Sequence, residues 1–114
     1  MKKSLNNTVG SNLYFSPEIW NGENHNGKAS DVWALGVTLY YMLYRDYPFN
    51  ASNSNYENLY YNIVNNEPQY PKPKDEFDNN LIKQMLLKDP AKRITLKQIK
   101  VVLEKRKLGL PVKF

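Results

Sequence analysis

The stretch from Ala29 to Arg45 limits the fold more than any other part of this chain. It is apolar on almost every side, and only Ser30, Asp31, Gly36, Thr38 and Arg45 interrupt it. A helix of that kind must be covered all round, so it predicts a buried core helix rather than an amphipathic surface one. Ser30 or Asp31 stands where the N-cap should be. The run Val32–Tyr44 would span about 20 Å as a helix, short of the roughly 30 Å hydrocarbon layer of a membrane. With 114 residues the chain supports one domain at most, with a modest core.

The segments around this helix also read as helices. Ser16-Pro17-Glu18-Ile19-Trp20 is a short one: Ser16 can cap it, Pro17 suits the first helical position, and Glu18 suits the positive end of the dipole. Tyr56–Val64 places Leu59, Tyr60, Ile63 and Val64 on one face, and Asp78–Leu87 does so with Leu81, Ile82, Met85 and Leu86. Thr95 caps a last helix whose apolar face is Leu96, Ile99, Val102 and Leu103. Residues 67–74, with three prolines, are extended or turn-like. No segment reads as a strand, so the fold class is mainly α.

Several chemistries are excluded early. There is no Cys, which removes a disulfide framework, a thiolate zinc site and a cysteine nucleophile. The single histidine, His25, sits in a Gly/Asn-rich loop and reads as solvent-exposed, so neither a His-based metal site nor a His-driven triad is expected. Met1–Asn7 has charge but no apolar stretch and is not a secretory signal. The cytoplasm or nucleus is the expected compartment. The net charge of +5 is uneven: residues 88–114 carry nine basic and two acidic side chains, a surplus of seven, while residues 1–87 carry seven and nine. Such a basic end fits a solvated helix face with a loose tail, and it also fits an acidic partner. Neither nucleic acid nor membrane is expected as a partner.

Four motifs carry more information than the helices. Thr8 to Glu18 resembles the end of a protein-kinase activation segment, T-x-G-S/T-x-x-Y/F-x-A/S-P-E. Asp31-Val32-Trp33-Ala34-Leu35-Gly36 resembles the D-x-W-x-x-G helix at the centre of the kinase C-terminal lobe. Tyr47-Pro48-Phe49 is similar to the P-F that follows that helix. Leu81 to Thr95, with Asp89-Pro90-Ala91-Lys92-Arg93, resembles the L-I-x-x-M-L-x-x-D-P-x-x-R close of the catalytic domain. The four occur in the family's order and at its intervals over about residues 6–100. Within the kinases the chain most resembles the calcium/calmodulin-dependent protein kinase kinases and related Ser/Thr kinases.

The resemblance implies a C-terminal (helical) lobe fragment of the protein-kinase-like fold over residues 1–105, followed by a basic tail over 106–114. It implies phosphoryl transfer from ATP, with Mg, to Ser/Thr of a protein substrate in the intact enzyme. The family's Gly-rich loop, strand lysine, H-R-D and D-F-G motifs are not in this sequence, so the chain alone is expected to be inactive and to bind neither ATP nor Mg. It reads as part of an enzyme, or as a non-catalytic, pseudokinase-like remnant acting as an interaction module. By resemblance, Gly10 and Ser11 belong to the loop that seats the substrate, with Asn12 in place of the usual Pro. Thr8 and Ser4 are the activation-segment hydroxyls open to phosphorylation. Asp31 supports the catalytic loop from below and Trp33 is core, its N–H in need of an acceptor. Glu18 and Arg93 form a buried ion pair. Arg45 replaces a glycine often seen after the central helix. Calmodulin is the partner that the resemblance offers for the basic last helix.

Overall fold

The computed structural model describes residues 12–23, 27–50, 55–70 and 76–114. These contain five helices and no strand: α1 (Pro17–Trp20), α2 (Gly27–Tyr44), α3 (Tyr56–Asn65), α4 (Glu76–Met85) and α5 (Leu96–Lys107). None is long and apolar enough to cross a membrane. His25 and the hydroxyl-bearing residues Ser4, Thr8 and Ser11 lie outside the described residues, as does Gly10.

The caps follow from the side chains at each start. The Asn55 side chain accepts from the amides of Glu57 and Asn58 at 2.8 and 3.2 Å and opens α3. Thr95 and Gln98 form a reciprocal capping box at the start of α5. Ser16 occupies the N-cap position of α1, but its hydroxyl makes no capping bond. It donates instead to Ser30 Oγ at 3.4 Å, because Ser16 is fully buried against α2. The cap expected at Ser30 or Asp31 is also displaced. α2 starts at Gly27, so both residues lie inside its first turns.

α2 packs along α4, and Gly36 is what lets them meet. A Cβ at Gly36 would stand 2.8 Å from Met85 Cβ and 3.1 Å from Leu86 Cδ2. Two apolar layers flank this seam. Trp33, Val37, Tyr40, Phe49, Leu59 and Ile63 fill one, which α1 and α3 close. Val32, Leu81, Met85, Ile94, Ile99 and Val102 fill the other, which α5 closes.

α2 is not covered all round as its composition predicts. Leu35, Tyr41 and Met42 are exposed, Met42 at 65%, because the described helices pack on one side of α2 only. Leu96 and Leu103 likewise stay exposed while Ile99 and Val102 carry the contact of α5. α2 and α5 end in the same left-handed conformation with different residues. Arg45 has φ +57° and its amide donates to Tyr41 O, while Gly109 has φ +74° and its amide donates to Arg106 O. α5 runs to Lys107, past residue 105, and the chain then reverses at Gly109. The segment beyond is docked rather than loose: Val112 packs on the second layer and the Phe114 ring lies 5.7 Å from that of Phe77.

Candidate functional site

The densest polar cluster lies where α1, the start of α2 and the turn before α5 converge. Asp89 builds that turn: its side chain accepts from the Ala91 amide at 2.9 Å, and its carbonyl accepts from the amides of Lys92 and Arg93. The turn aims Arg93 inward. Arg93 Nη1 donates to Glu18 Oε2 at 2.8 Å and Nη2 to Glu18 Oε1 at 3.0 Å, a bidentate fork across 75 positions of sequence. The remaining guanidinium hydrogens go to backbone carbonyls: Nε to Leu87 O (2.9 Å), Nη1 to Ala29 O (2.9 Å) and Nη2 to Lys88 O (3.2 Å). All five donors of the guanidinium are thus engaged.

Both partners are buried, Glu18 at 2% exposure and Arg93 at 3%. The carboxylate has a further donor, since Ser30 Oγ donates to Glu18 Oε2 at 3.2 Å. Burial by itself pushes the Glu18 carboxyl up. The Arg93 hydrogen bonds and charge, with smaller help from the Glu18 amide and Ser16, outweigh it and hold the group below its usual 4.5. An arginine cannot shed its proton to escape burial, so the ion pair is the form that this site requires.

Trp33 forms the wall behind the pair. It is fully buried, stacks on Phe49 with centroids 5.6 Å apart, and has the Arg93 guanidinium 5.0 Å from its ring. Its Nε1–H finds no acceptor among the described residues, contrary to the expected partner. A second cation joins the stack. Lys88 Nζ lies 4.5 Å from the Phe49 centroid and donates to Ile63 O at 2.6 Å, the open C-terminal end of α3. Burial lowers its pKa to about 8, Arg93 adds to the effect, and Glu67 opposes it.

Asp31 is not drawn into this cluster; it is exposed on α2. Asn12 is buried and its carbonyl accepts from the Phe15 amide at 3.1 Å. It does not use the left-handed freedom that its residue type offers, since Arg45 alone among the described non-glycine residues has positive φ. Ser30 and Lys88 are the functional contacts that sequence reading missed. Ser30 has the look of a helix cap, and Lys88 sits in an ordinary K-D-P turn; no spacing marks either as a partner of a residue so distant. Among the described residues no three His, Cys, Asp or Glu side chains converge.

The order of the motifs and the fork between Ser-Pro-Glu and Asp-Pro-x-x-Arg define a class, the protein kinase domain. The chain matches that family over residues 1–102 and belongs to it. Its curated relatives are serine/threonine kinases. It is 42% identical over 104 residues to serine/threonine-protein kinase ssp1 of Schizosaccharomyces pombe, covering 85% of this chain and 16% of that protein. It is 42% identical over 89 residues to serine/threonine-protein kinase UCN of Arabidopsis thaliana, covering 77% and 21%. A probable serine/threonine-protein kinase of Dictyostelium discoideum is 38% identical over 93 residues, covering 80% and 13%. The chain thus spans well under a third of the length of these relatives.

Proposed function

We propose that this chain is the C-terminal-lobe part of a Ser/Thr protein kinase of the calcium/calmodulin-dependent kinase kinase type. It seats the protein substrate through Gly10 and Ser11, and the helical core anchors the described end of that segment. The Glu18–Arg93 fork supports this reading most directly. It ties the end of the substrate-seating segment to the turn before α5, so the position of residues 12–18 depends on the helical core. ATP and Mg belong to other parts of the enzyme, and the chain alone is inactive. Calmodulin capture of α5 requires Ile99 and Val102 to leave the core, which a calcium-dependent shift of a peptide of residues 92–114 would report.

A chimera tests the proposal. Residues 1–102 replace the matching segment of the ssp1 kinase, and transfer of labelled phosphate from ATP to a Ser/Thr peptide library is measured beside the isolated chain. An active chimera and an inactive isolated chain are expected. A folded chimera without activity would favour a non-catalytic interaction module, and turnover by the pure chain would sink the assignment of ATP chemistry elsewhere.

A further inference from the structure

We propose that the groove between α5 and the returning segment 110–114 docks an extended acidic peptide of another protein. The groove exists because Gly109, at φ +74°, turns the chain back along the helix it has just left. Leu110 N closes the reversal on Lys105 O at 2.8 Å, and Val112 anchors the returning segment on the core. The Arg106 guanidinium, 4.2 Å from the Phe77 centroid, and Phe114, packed on the same ring, hold the far end.

The resulting space is about 430 Å³. Its apolar lining comes from buried Ile94 and Val102, from half-exposed Val101 on α5, and from Val112 on the returning segment. Its rim carries Lys92, Lys97, Lys105 and Lys113, and none of the described residues that line it is acidic. Arg93, between two residues that line the groove, is turned away toward Glu18. The rim therefore comprises flexible ammonium groups on apolar stems, set around a recess large enough for one or two bulky side chains.

That pattern selects the occupant. A large apolar side chain packs on the apolar lining, and carboxylates on either side of it meet the lysines. Single-stranded nucleic acid needs free aromatic faces for its bases. The one ring that lines this groove, Phe114, is already packed on Phe77.

The test uses the whole chain and a fluorescein-labelled peptide with a Leu-Phe centre and three glutamates on each side, read by fluorescence anisotropy. Saturable binding is expected. The double variant Lys97→Gln/Lys105→Gln should weaken it about tenfold or more, because the rim charges are the recognition element. Val101→Ser, at a position 50% exposed and so tolerant of change, should weaken it without altering charge. The control Lys100→Gln/Lys107→Gln removes the same charge from α5 outside the groove and should change binding less than about twofold. Equal weakening by the two pairs would overturn the groove in favour of a diffuse field. So would the absence of saturable binding by a chain whose circular dichroism shows helix. Tighter association with phosphatidylserine vesicles than with the peptide, lost in the Lys97/Lys105 variant, would also overturn it.

Discussion

Arg93 and Lys97 are four positions apart, and the molecule treats their charges in opposite ways. Arg93 is enclosed, with a carboxylate, three carbonyls and an indole face around it. Lys97 stands on an exposed rim beside three more lysines, with no carboxylate among the residues that line the groove. Lys88 is intermediate: half-buried, held by one carbonyl and two rings, and without a carboxylate bonded to it. The gradient teaches where charge is structural and where it is free for other uses. Solvation is lost in steps along it, and each step requires a fixed partner in place of water.

The comparison breaks most visibly at its buried end. Glu18→Gln or Arg93→Ala leaves one charge buried without its partner, and about 3–5 kcal/mol of stability should disappear in urea unfolding. Arg93→Lys should restore only part of it, since an ammonium cannot reproduce the fork. Lys97→Gln should fall within about 0.5 kcal/mol of wild type in the same assay.

The seam between the two layers is the next largest effect. Gly36→Ala puts a methyl group 2.8 Å from Met85 Cβ, so either α2 or α4 must shift. A loss of about 1–3 kcal/mol is expected, the range for overpacking a core.

The intermediate cation gives a pH signature. Lys88 titrates at about 8 in the fold and at its usual 10.5 when unfolded, so between those values the unfolded chain holds more protons. Stability should therefore rise as pH goes from about 8 toward 10, and Lys88→Met should flatten the rise in thermal melts. Above about 10 the trend should reverse. Burial raises the phenols of Tyr40 and Tyr70, so the unfolded state loses those protons first. Glu18 acts at the other extreme. Its contribution is complete above pH 4.5 and is lost as pH falls through its lowered folded value.

The smallest effect concerns the two helix ends. Arg45 holds φ +57° where Gly109 holds +74°. A side chain in that region costs about 1–2 kcal/mol, partly offset by the entropy that glycine loses on folding. Arg45→Gly should accordingly raise stability by at most about 1 kcal/mol, read as a small increase in the urea midpoint.

The helices were legible because their signals are local. Thr95 announces α5 from its cap position, and the spacing of Leu81, Ile82 and Met85 gives the buried face of α4. The fork was legible only through the family resemblance, since no local pattern links Glu18 to Arg93. Exposure was the least legible property. Leu35, Met42, Leu96 and Leu103 have the same apolar character as their buried neighbours, and what separates them is whether another helix of the described residues lies over them. Ser30 shows the same limit for polar groups: its sequence neighbours make it a cap, and its spatial neighbours make it a donor to Glu18. Trp33 shows it for an indole, which has two cation contacts and no acceptor among the described residues.

The separation of the fork's two partners by 75 positions has a kinetic consequence. Closing a loop of that length costs about 4 kcal/mol of chain entropy, more than a buried ion pair contributes net once its desolvation is counted. The fork cannot therefore act as a nucleus. The packing of α2 on α4 must shorten the loop first, and the guanidinium reaches its carboxylate late in folding. An interaction that is absent at the barrier governs how fast the native state is left, and has little effect on how fast it is reached. The fork is thus a latch on unfolding, and the lifetime of the folded molecule depends on it more than its rate of formation does.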